Sequence, residues 1–388
     1  MNKYINSFIL ILLIVSCSSY QTNKEKNKKT FKSVINPIPI NKKYKPLYGN
    51  LLSNISISKP SFNPINNEKQ TITFNISRPS KVVLNIYDSD SVLIKKLNSN
   101  KYFSADKNSL MWDGRDNNGN IVPNEAYFFT IIANDESGVQ EIYDPTMFSG
   151  GVENDIVNVE INPDTHDISY TMIESGRVMI RIGIQSGPLL NTLVDWEPRA
   201  KGLVTEYWNG KDKNNLVYFY KHPKFKMIIV YFSFPENSFI TYGNRKLTYR
   251  EYKKRLYKKI KKPRRPFYVK QTSPHYHILR TEDYSPKVKM SLKKIYGKNS
   301  EGLPIIKDKT IVTVEIDEED KPIFQNFQFE ICFFLDYQFY AEDESGSTPF
   351  NWVWDLSNVN KGEHILTANI TSFKDQIGVI SKKVWVKK

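Results

Sequence analysis

The chain has 388 residues, two cysteines and a formal net charge of +14. Two cysteines exclude a disulfide-stapled scaffold, so stability must come from apolar cores, and the length allows two or three of them. No nucleophile elbow, phosphate loop or metal-ligand helix motif occurs in the sequence, so no enzyme, metal or cofactor is expected. Carboxylates distant in the chain, as in glycoside hydrolysis, escape such a motif search.

In chain order, the first residues read MNKYINSFILILLIVSCSSY. One cation, Lys3, precedes an apolar run from Phe8 to Val15 that is too short to span a bilayer and has the pattern of a secretory signal. The run ends in Ile14-Val15-Ser16-Cys17, which resembles the bacterial lipobox. That resemblance implies cleavage after residue 16, a lipid on the Cys17 sulfur and near-permanent membrane anchoring. With Cys17 acylated no internal disulfide is expected, and Cys332 reads as a small apolar core residue. Ser18 in place of aspartate implies the outer membrane by the sorting rule of enteric bacteria. Loss of Lys3 lowers the net charge only to +13. Residues 17–54 read as a disordered tether, rich in lysine and broken by Pro37 and Pro39, that is attracted to anionic headgroups.

Next comes a repeat. A shift of 96 residues lays Ile72, Phe74, Val82, Ile86, Leu93 and Leu97 on Ile168, Tyr170, Val178, Ile182, Leu189 and Leu193. The same shift carries Trp112, Gly114, Asp116 and Asn118 of WDGRDNNGN onto Trp208, Gly210, Asp212 and Asn214 of WNGKDKNN. A match held over about fifty residues is a duplication. Within each copy, apolar residues alternate with polar ones, and turn residues such as Asp88-Ser89-Asp90-Ser91 separate the runs, as in a β-sandwich. The Trp motif reads as structural: the indole enters the core, and the Asp-Asn stretch turns the chain with Gly119 at positive φ. A calcium loop needs carboxylates at alternate positions, whereas Asp113 and Asp116 are three apart and Asp113 becomes Asn209.

NPINNEKQTITFNISRPSKVVLNIYDSDSVLIKKL followed by WDGRDNNGNIVPNEAYFFTIIA resembles the FlgD-type Ig-like domain of the flagellar hook cap and of bacterial surface proteins. It is also similar to the C-terminal sorting domain of type IX secretion cargo, although neither copy stands at the C-terminus. The resemblance covers residues 60–135 well and 155–232 more weakly. Two departures stand out. Asn124-Glu125 replaces the glycine usual before the aromatic strand, and Asn214-Asn215 replaces the Asn-Gly turn.

Residues 241–286 read as a basic helical connector. Thr248 and Glu251 form a capping box, and Tyr249, Tyr252, Leu256 and Ile260 follow helical spacing. Lys253, Lys254, Lys258 and Lys259 are expected on the outer face, where they are solvated or meet anionic lipid, lipopolysaccharide or an acidic glycan. Nucleic acid is not expected as a partner of an exported protein. PHYHIL sets His275 and His277 two apart in what reads as an extended segment, and such a pair lacks the further ligands of a metal site. Residues 287–388 form a third all-β pattern, and NWVWDLSNVNKGEHILTANI resembles the last strands of bacterial Ig-like modules. The acidic groups Asp317–Asp320 and Glu342–Glu344 read as solvated loops.

The expected architecture is therefore all-β, with three Ig-like sandwiches in tandem: signal 1–16, tether 17–54, FlgD-type domains 55–148 and 149–240, connector 241–286 and domain 287–388. The expected role is that of a non-enzymatic envelope lipoprotein, anchored through its lipid, whose sandwiches meet a protein partner. The alternative is a peptidoglycan- or glycan-binding surface lipoprotein. An open strand edge or apolar patch favours the first, and a row of exposed aromatics favours the second.

Overall fold

The computed structural model describes residues 50–98, 101–257 and 273–388. The signal, most of the tether, Cys17, Lys258, Lys259 and Ile260 lie outside them.

The first sandwich holds β1 (Leu52–Ile57), β2 (Ser61–Phe62), β3 (Gln70–Ile76), β4 (Ser80–Asp88), β5 (Leu93–Leu97), β6 (Tyr102–Phe103), β7 (Asp106–Trp112), β8 (Ala126–Asp135) and β9 (Gln140–Tyr143). One sheet runs β1-β3-β7, and the facing sheet sets β4 between β8 and β5. This is the strand arrangement of an Ig-like sandwich. Strict alternation builds it: every second residue of β3 and β4 is buried, and Ile72, Phe74, Val82, Leu84 and Ile86 meet Trp112 in one core. Leu51 and Leu52 belong to that core, and Leu52 pairs with Ile76. The first sandwich thus reaches into the range expected to be tether.

The second sandwich holds β10 (Glu153–Asp155), β11 (Val157–Ile161), β12 (Ile168–Met172), β13 (Gly176–Ile184), β14 (Leu189–Arg199), β15 (Gly202–Glu206) and β16 (Phe225–Ser233). Its sheets run β11-β12-β15 and β10-β16-β13-β14. The 96-residue shift holds in space, because β4, β5 and β7 start where β13, β14 and β15 start once 96 is added.

The two sandwiches are not beads on a string. After β16 the chain returns to the first sandwich as β17 (Phe239–Thr241), pairing antiparallel with β8 at Ala126 and Tyr127 and parallel with β2. β9 pairs with the other half of the same β8 edge, from Ile131 to Asn134. The last strand of the first sandwich is therefore split, and the second sandwich is inserted between its halves. Phe239 fills the first core, with its ring 5.5 Å from that of Trp112. An apolar residue in the final strand of either copy reads the same in sequence, so the tandem reading missed the crossing.

Helix α1 (Tyr249–Tyr257) follows. The third sandwich holds β18 (Val288–Lys293), β19 (Ile305–Ile306), β20 (Lys309–Ile316), α2 (Lys321–Phe327), β21 (Phe329–Leu335), β22 (Gln338–Asp343), β23 (Phe350–Asp355), β24 (Gly362–Ser372) and β25 (Ile377–Val386). Its sheets, β18-β20-β23 and β19-β25-β24-β21-β22, enclose a separate core that includes Trp354 and Phe324. Cys332 is buried on β21. The other cysteine of the sequence, Cys17, is outside the described residues.

Candidate functional site: a charged junction among three sandwiches

The two Trp loops are built alike. The Trp112 indole N–H donates to the Arg115 carbonyl at 2.9 Å and that of Trp208 to the Lys211 carbonyl at 2.8 Å. Asp116 Oδ1 accepts the backbone N–H groups of Asn118 and Asn120, both at 2.9 Å. Asp212 accepts those of Leu216 and Val217, both at 2.7 Å. The carboxylate thus closes its own turn. Gly114 and Gly210 sit at φ +72° and +75°, and a Cβ there would lie 2.4 Å from Pro64 and 2.3 Å from Tyr218. Where the first loop has Gly119 at φ +81°, the second uses Asn215 at +58°, a conformation asparagine tolerates.

Chemistry gathers elsewhere, where the three sandwiches and the connector meet. Glu125, the departure noted before the aromatic strand, is the hub and is 1% exposed. Its Oε1 accepts from Arg177 Nη2 at 2.6 Å, and its Oε2 accepts from Arg280 Nε at 3.2 Å. Arg177 comes from β13 of the inserted sandwich, and Arg280 from the segment beyond α1. Arg177 also donates to Ser89 Oγ at 2.8 Å and to the Trp196 carbonyl at 3.0 Å. Arg280 reaches Glu197 at 2.6 Å and the Asp283 carbonyl at 2.7 Å, and its backbone N–H donates to Asp90 at 2.7 Å. Burial alone would raise the Glu125 carboxyl, but the two guanidinium groups outweigh it and hold the carboxyl below its usual range.

A second cluster ties in the third sandwich. His275 Nδ1 lies 2.8 Å from Asp283, and its Nε2 lies 3.6 Å from Asp375 in the β24–β25 turn. Arg181 of β13 forks onto both Asp375 oxygens at 3.0 and 2.9 Å. Burial would lower the imidazole, but Asp283 and Asp375 outweigh it and raise it to about 9, so His275 is charged at neutral pH. Its ring centroid stands 4.2 Å from that of Trp196. Asn369 of β24 exchanges two 2.9 Å hydrogen bonds with the Leu189 backbone.

Helix α1 is a third clamp. The capping box forms, with the Thr248 N–H donating to Glu251 Oε2 at 3.0 Å. Tyr249 and Tyr252 face inward and donate to Asp90 at 2.9 Å and Asp116 at 3.2 Å. Lys253 does not point outward as expected. It is 1% exposed, with Nζ 2.5 Å from Asp88 and 3.4 Å from Asp90. The helix turns this face onto a turn carrying two carboxylates, and an unpaired pair of buried acids would cost more than burying the lysine. Lys254 is the exposed one, 3.5 Å from Glu319. Arg250 bonds Asp320 at 2.6 Å, so Asp320 is buried in an ion pair, not solvated.

The histidine segment is a short 3-10 helix, Pro274–His277, and not extended as expected. Among the described residues no group of three His, Cys, Asp or Glu is placed to hold a metal, and no helix is long and apolar enough to cross a membrane. The junction contains a cavity of about 40 Å³ lined by Arg177, Phe234, Ser238, His275 and Arg280, room for a few water molecules. These charges fix geometry: Glu125, Arg177, Arg181, Lys253 and Arg280 each join two sandwiches, or a sandwich and the connector. The turn acids Asp88 and Asp90 and the odd Glu125 were the signals in the sequence. Arg177, Arg181 and Arg280 gave none, since an arginine on a strand or loop reads as surface.

No family model matches the chain, and no curated protein matches it. Among solved structures it is similar to FLGD from P. Aeruginosa, at 22% identity over 24% of this chain and 73% of that one, with a TM-score of 0.20. It is also similar to fibronectin(III)-like modules of Clostridium thermocellum CbhA, at 10% identity over 86% and 94%, with a TM-score of 0.19. A third is dimeric latent PorU from Porphyromonas gingivalis, at 8% identity over 87% and 33%, with a TM-score of 0.18. Scores this low carry no argument, and the β-sandwich architecture rests on the sheets described above.

Proposed function

We propose that this chain is a non-enzymatic lipoprotein of the bacterial cell envelope, held at the outer membrane by a lipid on Cys17, whose sandwiches act as one rigid scaffold for a protein partner. The observation that carries the scaffold reading is Glu125, a buried carboxylate of the first sandwich held by Arg177 of the second and Arg280 of the connector. Catalytic groups need to change charge or position during a reaction, whereas these are spent on each other. The anchor reading rests on the lipobox-like Ile14-Val15-Ser16-Cys17. The fate of Cys17 tests it. Metabolic palmitate labelling is expected in the wild type and absent in Cys17→Ala, and a labelled, membrane-bound mutant overturns the anchor. For the scaffold, crosslinked envelopes should yield a protein adduct. Co-sedimentation of the purified chain with peptidoglycan, with no protein adduct in cells, would favour the glycan reading instead.

A further inference from the structure

In an Ig-like sandwich the next-to-last strand is flanked on both sides. In the third sandwich β25 accompanies β24 from Gly362 to Thr371. In the first, β9 and β17 share that duty along β8. In the second, the residues after β16 leave to complete the first sandwich, and β10 covers only Val230–Phe232. On that side no described strand pairs with Phe225–Ile229. Exposure changes at the same place: residues 225–229 are all half-buried and 230–233 all buried. The matching strands β8 and β24 are buried from Ala126 to Ile131 and from Ile365 to Ile370.

The open stretch is apolar and directional. Phe225, Met227 and Ile229 pack on the sandwich core, while Ile228 packs on the outer cluster of Met179, Trp196 and Phe232. Ser233 exchanges backbone hydrogen bonds with Gly151 and Val152 at 2.7 and 2.9 Å. By strand alternation Met227 and Ile229 turn their N–H and C=O groups to the same side. Such an edge is a template for another chain. Lys221, Lys224 and Lys226 flank it, and cross-strand pairing favours opposite charge.

We infer that this half-edge receives an extended segment of a partner protein, antiparallel to β16 and in line with β10, apolar at its inward positions and acidic at its outward ones. The inference rests on the scaffold reading and names its docking surface. Main-chain hydrogen bonds provide affinity, and the uncovered core at Met227 and Phe225 selects the side chains.

The test places a photocrosslinking residue at Lys224 of the full chain in living cells, with a second at Leu203, an exposed position on the other sheet. The expected result is a protein adduct at Lys224, mapping to a segment with alternating apolar and acidic residues. Met227→Pro removes the outward N–H without touching the ladder to β13 and should reduce the adduct about tenfold or more. Lys226→Glu should weaken it without relying on backbone change. Hydrogen exchange on the purified chain should show the Met227 and Ile229 amides exchanging far faster than that of Tyr231. Amides at 227 and 229 as protected as that of Tyr231, an adduct unaffected by both substitutions, or an adduct with a second copy of this chain overturns the inference. Adducts at Leu203 alone sink the edge and spare the scaffold, and adducts at neither position sink both.

Discussion

The first and second sandwiches are copies that diverged at their last strand. Through the Trp loop they correspond residue for residue: the Asn117 N–H donates to the Ile94 carbonyl as the Lys213 N–H donates to that of Leu190. Past Gly119 and Asn215 the correspondence slips by one residue, since the bridge Arg115–Ile121 becomes Lys211–Tyr218. Beyond it the first copy acquires Glu125 and borrows β17, while among the described residues the second keeps only the short β10 on that edge. Local turn chemistry is kept where the fold needs it, and the copies differ where the chain builds contacts between sandwiches.

The largest effects should fall on the shared feature. Trp112→Ala and Trp208→Ala each remove a buried indole and should cost about 3–5 kcal/mol in their own sandwich. Phe239→Ala breaks the symmetry: it follows the second sandwich in sequence but should destabilise the first. Hydrogen exchange resolved by strand checks this, and protection lost in β12 and β13 in place of β3 and β8 would contradict the insertion. Calcium-dependent melting that disappears in Asp116→Ala would contradict the turn reading of both loops.

Glu125 has no counterpart in the second copy. Glu125→Ala leaves Arg177 and Arg280 facing a buried site without their shared carboxylate. The expected cost is about 3 kcal/mol, the lower end for a broken buried pair, because Arg177 keeps Ser89 and the Trp196 carbonyl. Denaturant melts of the variant should separate into two transitions as the sandwiches uncouple. A single transition at the wild-type midpoint would remove Glu125 from the role of hub.

The His275 cluster should respond to pH while the Glu125 cluster does not over the same range. His275 is raised to about 9 from a reference near 6.5. Its stabilisation is therefore complete below about pH 6.5 and lost as pH rises through about 9, at most about 3 kcal/mol in all. The groups facing it are Asp283 from its own segment, Asp375 from the β24–β25 turn, Arg181 and Trp196 from the second sandwich, and Glu153 of β10. Asp375 is held low despite burial, chiefly by Arg181, so its contribution is lost only in acid. Thermal melts from pH 6 to 10 should decline in the wild type and flatten in His275→Gln.

The sequence made the sandwiches legible because alternation and turn residues are local: β3 and β4 could be placed from period two alone, and β12 and β13 from the 96-residue shift. The Trp loops were legible because a repeated spacing points to one cause. The insertion was not, because nothing in Phe239-Ile240-Thr241 says which sheet it joins. Nor was the burial of Lys253, since Lys253-Lys254 reads as a pair of equal surface cations. Only the Asp88 and Asp90 carboxylates, 165 positions from Lys253 in the first case, decide which of the two turns inward. The capping box was local and therefore readable, and Thr248→Ala should cost about 1 kcal/mol in helix stability.

The smallest effect on stability, and the one that separates the two lysines, concerns the outer face of α1. Lys253→Glu would bury a third carboxylate beside Asp88 and Asp90 and detach the helix. Lys254→Glu breaks only an exposed contact with Glu319, worth a fraction of a kcal/mol. The anionic-surface proposal therefore passes to Lys254, with Lys258 and Lys259 beyond the described residues. Each lysine near a charged membrane contributes about 1 kcal/mol, and that attraction weakens once the Debye length falls to about 8 Å. The soluble chain lacking the lipid should thus bind phosphatidylglycerol vesicles weakly at low salt and release them near physiological strength. Reversal of Lys254, Lys258 and Lys259 to Glu should abolish that binding while leaving the melting temperature within a degree or two. Equal binding by the reversed variant would make α1 a clamp between sandwiches with no surface role, its one functional lysine being the one turned inward.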